Sequence, residues 1–390
     1  MQGCARAAVS EPQPRILPVS SHQPSIVVVG AGFAGAATAF HLTRMGVERV
    51  TILEREDVPG MHASGRNAAM VRQVVPHESV AALARGGAAF LRHLPPDWPL
   101  ETRFEQNGSF LLASAKDSTR LKQDGDRSRQ RGAPAEWWPI ERIVEAVPVL
   151  EGSPAEGGLW CPTDGVVDIH GLLHGYLKAA ASLGARLITS SPLRRVVVRQ
   201  GKICAVQTES EELTVDVVVN AAGAWARQIG QLAGASPVPL VPYRRHLFVT
   251  RPLDWVEPRW PIVWDLSQDL YFRPESGGLL LCPCDEEAQE PGTAADDPAA
   301  LQMLADKVTR HYPRLADLPI RRSWAGLRTL APDGRFVAGW DSSVKGFFWL
   351  AGLAGHGVAA SYSVGLLAAS LVLQKTPGAA PNPFRPGRFL

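Results

Sequence analysis

The sequence predicts an α/β protein: a discontinuous nucleotide-type domain into which a second, α+β domain with a mostly antiparallel sheet is inserted. Three observations lead there. Residues 25–30 (SIVVVG) are an apolar run of the kind that a parallel strand buried on both faces needs, and they lead into a glycine turn, a small-residue helix and a second strand at 49–54 (RVTILE). Two more buried-type runs, 215–220 (VDVVVN) and 347–351, each enter a turn of small residues far along the chain. Between them, 243–250, 270–273 and 279–282 read as strands of a separate antiparallel sheet.

The remaining elements follow in order. Residues 1–24 lack the basic start and apolar run of a secretory signal, and their prolines suggest a loose extension. A helix is expected over 77–94, ended by Pro95-Pro96, then a strand at 109–113 and a charged, solvated helix at 116–131. Helical spacing over 171–183 stops at Gly184, and two strands, 193–199 and 203–208, turn at Gln200-Gly201. Residues 286–299 read as an acidic loop with no core, and 301–311 as a short amphipathic helix. The stretch 346–373 carries no charge unless His356 is protonated. Its glycines at 352, 355 and 357 and its serines at 361, 363 and 370 favour a buried loop plus helix over a membrane span. The nucleotide domain is therefore expected at 25–95, 166–237 and 325–375, the inserted domain at 96–165 and 238–324, and a tail at 376–390.

Composition excludes several classes. With 40 basic against 38 acidic residues among 390, the chain lacks the concentrated basic field of a nucleic-acid binder. At 45% hydrophobic and 20% charged it is not a disordered chain. The five cysteines (4, 161, 204, 282, 284) are scattered, and Cys282-Pro283-Cys284 is too tight for a zinc site, so no metal is expected. A reduced, cytoplasmic compartment is expected, with peripheral membrane contact left open.

The sharpest motif is Gly30-Ala31-Gly32-Phe33-Ala34-Gly35, a G-x-G-x-x-G set between strand and helix. Gly30 allows the tight turn, Gly32 lets a pyrophosphate approach the backbone, and Gly35 lets helix and strand pack closely. The helix N-terminus offers free N–H groups and a positive dipole end to the phosphates. Glu54, nineteen residues after Gly35, can accept from ribose hydroxyls. These are the marks of a Rossmann-type dinucleotide site. An acid at the ribose fits FAD or NAD and disfavours NADP, and the motif does not choose between the first two.

Residues elsewhere do choose. In VVVGAGFAG (27–35), ILERE (52–56), ASGRNAA (63–69), VVDIHGLLHGYLKAAASLGA (166–185), VVVNAAGAW (217–225) and GLRTLAPDGRFVAGW…GFFWLAGLAGHGV (326–358), the chain resembles the D-amino acid oxidase-like flavoproteins. These include glycine oxidases, sarcosine oxidases and D-amino acid dehydrogenases. The closing segment is most similar to that of bacterial D-arginine dehydrogenases.

The resemblance implies FAD in the discontinuous domain, with substrate under the sheet of the second. FAD contacts would fall on Gly30, Gly32, Gly35, Glu54 and Arg55, with Ser64, Gly65, Arg66, Asn67 and Ala68 following the ribityl chain and flavin ring. Leu193 would meet the adenine, and Ala222 and Gly223 would line the same groove. Gly355, His356, Gly357 and Val358 form a glycine-rich helix start whose N–H groups would stabilise negative charge on the reduced flavin. His62 stands where some relatives tether FAD covalently. Others carry histidine there without a bond, and a non-covalent FAD is expected.

The same resemblance assigns an amino-acid substrate. Arg328 would hold its carboxylate as a bidentate pair, Tyr271 would help, and Arg244 is a further pocket arginine, with Arg245 as a competitor on the opposite strand face. His356 could approach the amine. The chain departs from the family at Leu280, where sarcosine-type oxidases have a lysine that promotes reaction with oxygen; this favours a dehydrogenase. Met70 and Val75 replace the histidine and tyrosine of D-arginine dehydrogenase, which suits an apolar, cyclic or N-alkyl amine.

The expected reaction is oxidation of the Cα–N bond by hydride transfer to flavin N5, with a quinone, an electron-transfer protein or oxygen as the acceptor. The resulting imine would hydrolyse to a 2-oxo acid. A peroxide-forming glycine or sarcosine oxidase, a 2-hydroxy acid dehydrogenase, an NAD enzyme and a non-catalytic flavoprotein acting in binding or assembly stand as alternatives.

Overall fold

The computed structural model describes residues 23–374 and 382–390, so all but the last two residues of the expected N-terminal extension lie outside the described residues, as does 376–381 of the tail. A six-stranded sheet is assembled from distant segments. Its spatial order is Val337–Trp340, Phe347–Ala351, Val217–Asn220, Ile26–Val29, Val50–Leu53 and Arg186–Ile188. All neighbours run parallel except the first pair. Every residue of Ile26–Val29 is buried, as a strand covered on both faces must be.

Helices Phe33–Arg44, Ile169–Ser182 and Gly357–Val372 cover one face of this sheet, Glu78–Arg92 packs outside the last of them, and small residues set how close they come. In the helix Gly357–Val372, a Cβ on Gly365 would lie 2.6 Å from the carbonyl carbon of Ala37 in the helix Phe33–Arg44. In the helix Glu78–Arg92, a Cβ on Gly87 would lie 1.8 Å from the carbonyl oxygen of Ala359. The uncharged 346–373 stretch is thus a buried strand, a loop that lines a cavity and a helix clasped by two others. No described helix is long and apolar enough to cross a membrane.

The second sheet is mostly antiparallel. Its central path joins Val241–Thr250, Gly278–Cys282, Leu270–Glu275, Ile262–Asp265 and Ser109–Ala113, and only the last pair is parallel. Ile320–Leu330, an eleven-residue strand that the sequence did not announce, pairs along the whole of Val241–Thr250. It runs across the expected 324/325 boundary, so Arg328 is delivered to the site by the second sheet. The expectation of a coreless loop over 286–299 is corrected. Ala294 is buried against Ala224, Ala325 and Leu327, and Asp297 caps the helix Pro298–His311 by accepting from the Ala299 N–H at 2.9 Å. Among the described residues, no cluster of three His, Cys, Asp or Glu could hold a metal.

Candidate active site

A cavity of about 800 Å³ runs between the two sheets, from Leu193 and Arg194 at one end to Tyr271 and Arg328 at the other. The Gly30 end is built by backbone. Gly30 has φ +101°, and a Cβ there would sit 2.6 Å from the Ala221 oxygen; a Cβ on Gly35 would sit 1.9 Å from the Gly30 oxygen. Glu54 is buried behind this turn, accepting from the Ala31 N–H at 2.8 Å and the Glu56 N–H at 3.0 Å. Ser64 Oγ accepts from the Phe33 N–H at 3.0 Å and stands 2.8 Å from where a Gly32 Cβ would be. Gly32 thus leaves a bare backbone cradle at a helix N-terminus, with a buried carboxylate on the ribose side, and this fits a dinucleotide pyrophosphate.

The loop over 62–69 is held from several directions. Asn67 donates to the Ser64 oxygen at 2.7 Å and accepts from the Ala69 N–H at 2.7 Å, while Arg66 reaches the Met61 and Ala325 oxygens. Ser64, Arg66, Asn67 and Ala68 line the cavity together with Ala222, Gly223, Gly355, Gly357 and Val358. Gly65 does not. A Cβ on it would lie 2.3 Å from the Gly60 oxygen, so its role is to let the loop close on itself. Arg55 lies over the Trp225 ring at 4.3 Å, and His62 pairs with Glu56 at 2.8 Å.

The far end carries the substrate-type residues. Tyr271 is buried, and its hydroxyl accepts from an Arg328 N–H at 3.5 Å. Burial is the main reason its phenol stays protonated well above the ordinary range. The Arg328 guanidinium is packed against Gly355, whose φ is +81° and where a Cβ would come within 3.0 Å of Cζ. Arg244 is corrected. Its guanidinium points to the other strand face, where it pairs with Glu287 and with Asp297 at 2.6 Å. Arg245, opposite Gly326 in the strand pairing, lines the cavity instead.

His356 is also placed differently from expectation. Its backbone caps the last helix, but its side chain borders a separate chamber of about 380 Å³ beyond Arg328 and Gly355. Burial, with the charges of Arg72, Arg328 and His77, lowers its pKa to about 3. The ring is therefore neutral throughout the usual assay range, because protonation would begin only as pH falls towards that value. The pH profile of kcat/KM between pH 6 and 9 should be the same for the native protein and His356→Gln; a limb near 6.5 lost in the variant would show that His356 titrates. Sequence reading missed Arg72, which borders the same chamber, and Pro291, Gly292 and Ala294, which line the large cavity.

A model of the FAD dependent oxidoreductase family matches residues 25–371. The chain belongs to this family. The flavoprotein is 28% identical over 379 residues to the 4-methylaminobutanoate oxidase (formaldehyde-forming) of Paenarthrobacter nicotinovorans, covering 92% of this chain and 45% of that protein. It is 25% identical over 372 residues to the mitochondrial pyruvate dehydrogenase phosphatase regulatory subunit of Mus musculus, covering 91% of this chain and 42% of that one. It thus spans less than half the length of these two relatives. In fold it is similar to the L-proline dehydrogenase from P. horikoshii, with a TM-score of 0.85, 23% identity and coverage of 94% of this chain and 98% of that chain. FAD is the cofactor of the family, and the glycine cradle, Glu54 and the cavity length fit it.

Proposed function

We propose that the flavoprotein oxidises the Cα–N bond of a small D-, cyclic or N-alkyl amino acid, giving an imine that hydrolyses to the 2-oxo acid. The observation that carries this reading is Arg328, a guanidinium at the inner end of the FAD-sized cavity whose one hydrogen bond among the described residues is to the neutral Tyr271 hydroxyl. A cation left without a carboxylate in such a place suits the carboxylate of an incoming substrate.

Bound FAD supplies a hydride-accepting ring. Arg328 and Tyr271 hold the substrate carboxylate and so fix the orientation of Cα, which makes positioning the main contribution of the protein. Met70 and Leu247 give that end of the cavity apolar walls that keep water away and suit a neutral amine. Gly357 and Val358 open the last helix toward the cavity, and their N–H groups favour negative charge there. His62 faces Glu56 and Trp225, which supports a non-covalent FAD that acid denaturation would release.

Leu280, at the position where sarcosine-type oxidases have a lysine, is buried beside Ala68, Val249 and Tyr271. This supports a dehydrogenase that passes electrons to a quinone or an electron-transfer protein. Anaerobic titration with D-, L-, cyclic and N-methyl amino acids and with 2-hydroxy acids should bleach the flavin with one or more amines. In air, a peroxidase-coupled assay should show peroxide formation well below the rate with a quinone acceptor. Bleaching by hydroxy acids alone would replace the amine reading, and no bleaching at all would favour a binding or regulatory flavoprotein.

A further inference from the structure

We infer that the chamber beyond Arg328 is a second anion subsite built around Arg72, and that the substrate is an amino acid whose side chain or N-substituent ends in another carboxylate. This deepens the proposed function and rests on its placing the first carboxylate at Arg328.

Arg72 is 8% exposed, and no carboxylate among the described residues lies within 4.0 Å of it. It makes no hydrogen bond among the described residues; its guanidinium lies over the Trp264 ring at 3.8 Å. Burial and the nearby Arg328 charge lower its pKa to about 10, so it is still charged at neutral pH. The buried acid whose field reaches it, Asp164, has its oxygens occupied by Ser109 Oγ at 2.7 Å and by Gln73 Nε2 at 3.0 Å and N–H at 3.1 Å. A buried cation left in this state carries a desolvation cost that an incoming anion would offset.

The chamber is placed to admit one. It shares Met70, Arg328, Ala354 and Gly355 with the large cavity, so the two spaces adjoin at the Arg328 side chain that anchors the substrate. Its walls are largely apolar, including Val74, Val75, Leu111 and Trp264, and these suit a short aliphatic arm. Other groups do not compete for that arm's end. His356 is neutral, Asp117 accepts from Ser267 Oγ at 2.6 Å, and Asp124 pairs with Arg127. Arg120 is exposed on the outer helix Ala115–Gln130. The buried Arg72 and the half-buried Arg328, lining two adjacent spaces, thus match two carboxylates on one small molecule.

The test uses unreactive ligands on the FAD-loaded protein, so it needs no turnover. Calorimetric titration with malonate, succinate and glutarate is set against propionate and butyrate. One dicarboxylate should bind at least about tenfold more tightly than the monocarboxylates, as expected for an added charge-assisted contact. Arg72→Met should remove that preference while monocarboxylate binding persists, and Arg72→Lys should restore part of it. No preference in the native protein, or a preference that survives in Arg72→Met, overturns the subsite. If neither variant folds, the native ratio still decides. Failure of the amine reading would appear separately, as a flavin that no amine bleaches.

Discussion

Replacing Arg328 by Met is expected to raise KM for the substrate roughly 30- to 1,000-fold, the range set by losing about 2–4 kcal/mol when one partner of a buried charge pair is removed. The visible spectrum and FAD content should not change, because Arg328 lies at the substrate end of the cavity, away from the Gly30 and Gly32 turn. Met keeps most of the side-chain length against Gly355, whose close approach to the guanidinium leaves no room for rearrangement of the backbone there. The Tyr271 hydroxyl remains and can still accept or donate a hydrogen bond, so some carboxylate affinity should persist. Steady-state kinetics beside the flavin spectrum decide the matter. A KM equal to that of the native protein would remove Arg328 from the substrate site.

Gly32→Val should purify without colour and bind FAD at least about 100-fold more weakly. The first atom added to Gly32 would meet Ser64 Oγ at 2.8 Å, and the branches of valine would occupy the space above the helix N-terminus that the pyrophosphate needs. The φ of Gly32, −75°, is open to any residue, so the fold should survive. That separates this position from Gly30, whose positive φ and 2.6 Å approach to Ala221 make a side chain there a folding defect. Absorbance at 450 nm per chain, with far-ultraviolet circular dichroism as the control for folding, gives the result. A fully yellow variant would move the pyrophosphate elsewhere.

The nucleotide half was legible because its chemistry is carried by backbone. Gly30, Gly32 and Gly35 have to be glycine for steric reasons, and steric reasons leave a fixed spacing. The strands at 109–113 and 347–351 were read to the residue, since continuous apolar runs have clear ends. The substrate half was less legible because alternation along a strand has a phase that sequence alone does not set. Arg244 and Arg245 are adjacent, and only the pairing of Val241–Thr250 with Ile320–Leu330 decides which one faces inward. That second strand, IRRSWAGLRTL, mixes charges, glycine and tryptophan and shows no regular pattern. Arg72 had no local mark at all. Its burial comes from Trp264, nearly two hundred residues away, and a solitary arginine after Met70-Val71 looks like any surface residue.

The order of strands in the six-stranded sheet bears on how the chain acquires its flavin. Ile26–Val29 is made first, yet its partner on one side, Val217–Asn220, emerges from synthesis almost two hundred residues later, and Phe347–Ala351 later still. Pairings this distant in sequence make for slow folding. During synthesis the first strand, apolar on both faces, waits with one edge open, and the helix start at Gly357 that closes over the cavity follows all six strands of the sheet. Flavin capture should therefore be a late event, and a chain short of FAD should survive as a partly opened species that proteases cut and added FAD protects.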